Sequence, residues 1–380
     1  MSVYHTGSGM RILVDYRPAL RQRTGVGEYV HELVRAYAAV HTGTVTLFTS
    51  SWRDRPAAGL DAELGVPIVD RRVPVSVLNY LWHRLSWPPV EALAGAADVV
   101  HAAHPLCIPA RHAAQVVTIH DLFFLDRPHL TRGEVRRDYS ALAARHARAA
   151  DAVITSSTYT RELIAARLGV GTDRIYVCPP GAPTWSSLGD GPNAPADGYF
   201  LFLGTLEPRK NLGLLLDVYE RLARGPTRPP SLLVAGGSTP AAQEWLARIG
   251  RAPLDGLVHH AGYVADDLRE TLYRGARALL MPSLDEGFGL PALEAMSAGV
   301  PVLASSRGAL PEVVGDAGAL IDPDDVDAWT SEVERVWRDP AWAHRLACAG
   351  LERARTFSWT RTVTRVHEAY LDAVRRRSAR

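Results

Sequence analysis

The stretch "ALLMPSLDEGFGLPALEAMSAGVPVLAS", residues 278–305, carries one complete structural unit. Its apolar opening reads as a strand, and Pro291 fits the first turn of a helix. Gly299 and Pro301 close that helix before a second apolar run, "PVLAS". Strand, helix and strand in so short a span make a parallel crossover. Glu286 falls in the loop after the first strand, and Glu294 follows eight residues later inside the helix. Two carboxylates around a Gly-Phe-Gly turn suit a polyhydroxylated ligand, because each accepts from vicinal hydroxyls of a sugar or ribose. The amides of Gly287, Phe288, Gly289 and Leu290 read as exposed donors for sugar and phosphate oxygens. Glu286 alone also has a purely structural reading, as an acid near a helix N-terminus.

The same alternation extends in both directions. Short apolar runs lie at 11–16, 45–50, 98–102, 115–121, 151–157 and 174–180, with helical stretches such as 131–149 and 158–168 between them. Residues 181–198, rich in Gly, Pro, Ser, Asn and Asp, interrupt the pattern as a linker does. It restarts at 199–204, 231–237, 256–262, 278–283, 301–305 and 318–323. Segments 324–338 and 341–375 read as helical throughout. The fold class is therefore α/β, with two doubly wound domains over 11–180 and 199–356 joined by 181–198. Such a pair implies a cleft, and ligands of open α/β sheets bind beyond the carboxyl ends of the strands.

Composition agrees with a soluble globular protein of two domains. A chain of 380 residues exceeds what one core fills. A charged fraction of 22% and a net charge of +1 give no sign of a nucleic-acid partner. Cys107, Cys178 and Cys348 lack metal or disulfide spacing and read as reduced thiols. The first ten residues lack an apolar signal core and no apolar run reaches a membrane span, so a cytoplasmic location is expected.

Two further strand-end loops carry chemistry. In "GTLEPRKN", residues 204–211, a strand ends at Gly204 and a helix begins near Asn211. Of 42 basic residues 41 are arginine, and the single lysine, Lys210, sits here beside Arg209. Arginine offers a planar fork and lysine a point charge, so the pair suits two phosphates; alone, it reads equally as a solvated basic pair. In "RQRTGVGEYV", Gly25 and Gly27 open the first helix, where a ligand could approach the backbone or a tight turn could simply need them. GxGxxG is incomplete because position 30 is Val30, which disfavours a nicotinamide enzyme.

The E-x-F-G-x-x-x-x-E pattern of Glu286, Phe288, Gly289 and Glu294 resembles the signature of retaining GT-B glycosyltransferases of the family-four type. "GTLEPRKN" and "LLVAGG" at their upstream positions extend the resemblance, which covers nearly the whole chain. It implies two Rossmann-like domains, with a last helix, 357–375, crossing back to the N-terminal one. It further implies that Arg209 and Lys210 grip the donor diphosphate, and that Glu294 accepts from ribose and Glu286 from the donor sugar. By the same resemblance the loop Gly287–Leu290 lines sugar and phosphate, Gly204 belongs to the donor-binding set, and Val264 flanks the nucleobase. Gly25 and Gly27 match the family's N-domain glycine loop, and no metal or cofactor is implied.

"VTIHDLFF", residues 117–124, adds His120 and Asp121. The pair suggests a base oriented by a carboxylate. The resemblance instead implies front-face departure and attack, with His120 stabilising charge on the sugar and Asp121 holding the loop. A satisfied strand-end histidine is the plainer reading. "DPDDVDAW", residues 322–329, reads as a turn and helix cap, not a metal site. Residues 71–91, with Arg71, Arg72 and "VPVSVLNYLWHRLSW", are a candidate for peripheral contact with a membrane surface, although an aromatic apolar helix is commonly core.

The function expected is transfer of a hexose from a nucleoside diphosphate to an alcohol on a glycan or lipid-linked acceptor in polysaccharide synthesis. The "IHDLFF" loop resembles GDP-mannose-dependent relatives most, with UDP- and dTDP-sugars as alternatives. A nucleotide-sugar binding protein without turnover is a competing reading. A pyridoxal-phosphate phosphorylase is disfavoured, since the one lysine is already placed at the diphosphate loop.

Overall fold

The computed structural model describes residues 9–20, 23, 25–126, 138–185, 195 and 198–380. The chain forms two compact units, Met1–Pro180 with Trp359–Arg380, and Gly181–Ser358.

The first unit holds seven strands: β1 (Ile12–Asp15), β2 (Val45–Thr49), β3 (Ile68–Asp70), β4 (Val99–Ala102), β5 (Ala114–Thr118), β6 (Ala152–Thr155) and β7 (Ile175–Val177). They pair in parallel in the order β3-β2-β1-β4-β5-β6-β7, with Ile12 of β1 opposite Val45 on one side and Val99 on the other. β1, β4 and β6 are buried along their whole length, as strands covered on both faces must be. Helix Gly25–Val40 covers one face, burying Tyr29, Val30, Leu33, Val34 and Tyr37 at helical spacing. The sequence pattern does not announce β3. Its three half-buried residues lie at the sheet edge, too few to show a period.

The second unit holds β8 (Tyr199–Leu203), β9 (Leu232–Ala235), β10 (Val258–Gly262), β11 (Ala276–Met281), β12 (Val302–Ser305) and β13 (Ala319–Ile321). These also pair in parallel, in the order β10-β9-β8-β11-β12-β13. In each sheet the chain winds one way from its first strand and then the other way. The reversal lies between β1 and β4 in the first unit and between β8 and β11 in the second. Loops leaving the carboxyl ends of those strand pairs splay apart there, which is where a doubly wound sheet accepts ligands.

The expected unbroken helix over 341–375 is corrected by the structure. Helix Pro340–Ala354 stops, residues 355–358 are non-helical, and helix Trp359–Ser378 follows. Phe357 leaves the helical path to pack edge-on against Phe288 at 5.8 Å, while its carbonyl accepts from the Ala182 N–H at 3.1 Å. The last helix then joins the first unit, where Val363, Val366, Ala369, Tyr370 and Ala373 enter the same core as Ile12, Val14 and Tyr37. Tyr370 Oη lies 2.7 Å from Nδ1 of the buried His101 in β4. Of the helix expected over 131–149, Ser140–Ala149 is helical and 131–137 lies outside the described residues. Most of 181–198 likewise lies outside them. Its start does not behave as a free linker, because Trp185 packs against Tyr273 at 5.5 Å and donates to Ser297 Oγ.

Candidate active site

Gly204 directly follows β8, and its φ of +156° suits glycine. Gly236, after β9, has a φ of +148°, and a Cβ on it would stand 1.9 Å from the Gly204 carbonyl oxygen. The two loops therefore touch backbone to backbone. A Cβ on Gly204 would itself meet only the stem of Lys210, 3.5 Å away. Pro208–Lys210 makes one tight turn, closed by the Lys210 N–H donating to the Glu207 carbonyl at 2.9 Å. Asn211, at φ +54°, turns the chain into helix Leu212–Leu222. The Arg209 carbonyl accepts from the Leu284 N–H at 2.7 Å, which ties this turn to the loop after β11.

That loop delivers Glu286. Gly308, at φ +67°, lies against it so closely that a Cβ would sit 2.7 Å from the Glu286 nitrogen. One carboxylate oxygen of Glu286 accepts from Lys210 Nζ at 2.5 Å and from Ser283 Oγ at 2.7 Å. The other accepts from Arg209 Nη1 at 3.0 Å, and Arg209 Nε also bonds Glu207 at 3.1 Å. Lys210 and Glu286 are both buried. Burial pushes the Glu286 carboxyl up, but Lys210 and then Arg209 outweigh it and hold the group at about 2. Burial draws Lys210 below its ordinary value, opposed by Glu286, with the like charge of Arg209 adding to the fall. Two fixed cations thus converge on one carboxylate at the reversal point of the second sheet.

Helix Leu290–Ser297 starts just beyond. Gly289 caps it at φ +103°, and a Cβ there would stand 2.6 Å from Leu310 Cδ2. The expectation that Gly287–Leu290 is exposed is corrected: Gly287, Phe288 and Gly289 are buried, because Phe288 packs into the core. Among the described residues the N–H groups of Phe288, Gly289 and Leu290 nevertheless donate to no protein acceptor. They are the first orphan donors of a helix whose dipole favours an anion. Glu294, buried one turn on, accepts from Tyr273 Oη at 2.6 Å and pairs with Arg269. Val264 is half-buried in the loop after β10. Asp325 caps helix Val326–Arg338 by accepting from the Ala328 N–H, and Asp322 accepts from the Asp324 N–H.

His120 and Asp121 follow β5 in the first unit. The ring of His120 stands edge-on to Tyr29 at 5.1 Å, and its buried Nε2 has no hydrogen-bond partner among the described residues. Burial pushes its pKa down to about 4, against the pull of Asp121. Asp121 accepts from the Phe123 N–H at 3.2 Å, opening a short helical turn. Gly27 is buried, and a Cβ on it would lie 2.9 Å from the Pro18 carbonyl, so the backbone that approaches this glycine is the protein's own. Gly25 opens the same helix and is exposed.

Sequence reasoning missed a polar cluster at the reversal point of the first sheet. Asp15, at the end of β1 and fully buried, accepts from Arg17 Nε at 2.8 Å and Nη2 at 2.7 Å, and lies 3.2 Å from His104 Nε2. Burial pushes the Asp15 carboxyl up, yet Arg17 and then His104 hold it well below its ordinary value. Arg17 reaches on to Asn79 Oδ1 at 2.8 Å and lies over the Trp82 ring. The signal was available in "LVDYRP", where a carboxylate ends an apolar strand two residues before an arginine.

Comparison with known proteins identifies the family. Residues 23–185 match the family model Glycosyltransferase Family 4, and residues 197–339 match Glycosyl transferases group 1. The O-antigen chain mannosyltransferase B of Escherichia coli is 30% identical over 389 residues, spanning 95% of this chain and 99% of that one. The chain belongs to glycosyltransferase family 4. Solved structures agree on the architecture. The transferase superposes on the sucrose-phosphate synthase of Thermosynechococcus elongatus with a TM-score of 0.73 at 21% identity, covering 96% of this chain and 98% of that one. It superposes on Anabaena HepE in complex with UDP and glucose with a TM-score of 0.69 at 19% identity, covering 95% and 99%. Both are GT-B-like in having two parallel-sheet units, as the transferase has. Among its described residues no helix is long and apolar enough to cross a membrane.

Proposed function

We propose that the transferase moves a hexose, mannose from GDP-mannose in our reading, onto an alcohol of a glycan or lipid-linked acceptor, with retention of configuration and without a metal. The observation that carries this is the convergence of Arg209 and Lys210 on Glu286 beside three orphan amides. As the sugar leaves a nucleoside diphosphate, negative charge grows on the β-phosphate. Cations already fixed by folding stabilise that charge without reorganising. The arriving phosphate takes over part of the coordination that Glu286 now supplies. The carboxylate oxygens so released accept from hydroxyls of the donor sugar.

Glu286 is assigned to hydroxyls of the donor sugar and not to the anomeric carbon. The reading is therefore departure and attack on the same face, with the leaving phosphate accepting the proton of the acceptor alcohol. Glu294, fixed by Tyr273 and Arg269, takes the ribose hydroxyls. The amides of Phe288, Gly289 and Leu290 take phosphate and sugar oxygens, and Val264 flanks the base. In the first unit we assign His120 to hydrogen-bonding a sugar, Asp121 to holding its loop, and Gly25 and Gly27 to the turn that opens the first helix.

Mannose is favoured because the full-length relative is named a mannosyltransferase. The test is release of nucleoside diphosphate from GDP-mannose, UDP-glucose and dTDP-glucose, with and without EDTA. The anomeric configuration of the product is then read by NMR. Turnover of GDP-mannose alone, unaffected by EDTA and giving an α-linked product, is expected. Preference for a UDP-sugar overturns the donor, an inverted product the mechanism, and loss with EDTA the metal-free reading.

A further inference from the structure

Arg71–Val90 takes no part in the chemistry above. Helix Val75–Tyr80 runs on through a wider turn, Leu81–Leu85. Leu78, Asn79, Trp82 and His83 are buried, with Trp82 packed on Phe48 at 5.6 Å. The opposite side carries Val77, Tyr80, Arg84 and Leu85, with Trp87 just beyond. Tyr80 is 62% exposed, Leu85 59% and Trp87 61%. An ordinary surface helix turns its charged face outward, and here the outward face is apolar and aromatic. Trp52, 73% exposed, belongs to a loop tied to the start of this helix by two hydrogen bonds between Ser50 Oγ and the backbone of Val73.

Charge says what covers this face. Arg71, Arg72 and Arg84 are exposed, whereas the neighbouring acids are engaged. Asp70 pairs with Arg55, Glu91 accepts from the N–H groups of Arg111, His112 and Ala113, and the buried Asp138 lies 3.8 Å from Arg84. Two copies meeting through this face would set exposed arginines against exposed arginines. An anionic bilayer meets both requirements. Tyrosine and tryptophan rings settle at headgroup level, leucine and valine enter the acyl boundary, and guanidinium groups bond lipid phosphates. We propose that this face docks the protein on the surface of an anionic lipid bilayer. The inference is independent of the donor assigned above.

The test is co-sedimentation of the whole protein, without nucleotide, with vesicles of phosphatidylcholine alone or mixed with phosphatidylglycerol. Binding is expected only to the anionic vesicles and is weakened by salt. Arg71→Glu/Arg72→Glu should lower the partition coefficient by about tenfold or more, as should Tyr80→Ser/Leu85→Ser/Trp87→Ser. All five side chains are exposed, so both variants should keep the fold, and the arginine pair decides if the triple variant does not. No sedimentation, equal binding to neutral vesicles, or unchanged binding of the variants overturns the proposal. So does a dimer in light scattering that the triple variant dissolves.

Discussion

Lys210 Nζ lies 2.5 Å from Glu286 Oε1, joining a loop after β8 to a loop after β11 where the strand order reverses. Among 42 basic residues the one lysine occupies this contact. The lysine stem lies against Gly204, where a Cβ would stand 3.5 Å from Lys210 Cε, and its ammonium is compact where a guanidinium must spread. Lys210→Met leaves a buried carboxylate short of one partner, with Arg209 and Ser283 remaining. A loss of about 3 kcal/mol is expected, the lower end for breaking a buried pair. Lys210→Met/Glu286→Gln should recover part of that stability in urea unfolding while nucleotide-sugar binding stays lost.

The same pair sets a pH dependence. Glu286 is held at about 2 against an ordinary 4.5, so its pairing stabilises the fold fully above 4.5. That contribution is lost as pH falls towards 2. The melting temperature of the wild type should therefore drop between pH 4.5 and 2 more than that of Glu286→Gln. Parallel curves for the two proteins would show that the carboxylate is not held down by its cations.

The glycines after β8 and β9 should behave differently. Gly236→Ala drives a Cβ into the Gly204 carbonyl, so neither loop can relax alone, and at least ~3 kcal/mol of destabilisation is expected. Gly204→Ala meets only a flexible lysine stem and should cost about 1–2 kcal/mol, mostly for its positive φ. Chemical denaturation of the two variants tests the order.

Tyr273→Phe removes one hydrogen bond to the buried Glu294 and leaves Arg269 in place. A hydrogen bond to a charged group contributes about 1.5–3 kcal/mol, so stability should fall within that range. If Glu294 takes the ribose, KM for the donor rises more than kcat falls. The opposite split would move Glu294 away from nucleotide binding.

The fold was legible because parallel strands covered on both faces are written as continuous apolar runs, and all but β3 were visible that way. Lys210, Glu286 and Glu294 were legible because they occur at strand ends in spaced motifs. The contacts they make were not. Nothing in "GTLEPRKN" says that both cations will close on Glu286, 76 residues from Lys210, because that depends on which strands become neighbours. Asp15, Arg17 and His104 were hidden for the same reason, since β1 and β4 meet only in the folded sheet. The break at 355–358 escaped because helical periodicity continues on either side, and only packing of Phe357 on Phe288 ends it.

The return of helix Trp359–Ser378 to the first unit makes the second unit an insertion within the first. On the ribosome the unit that begins first is completed last. Its core lacks Val366 and Tyr370 until after all of Gly181–Ser358 has been made. At ~5–20 residues per second that interval lasts on the order of ten to forty seconds. Chains ending at Ser358 and released from the ribosome should show a protease-resistant second unit beside a sensitive first one, so the order of synthesis and the order of folding run in opposite senses along this polypeptide.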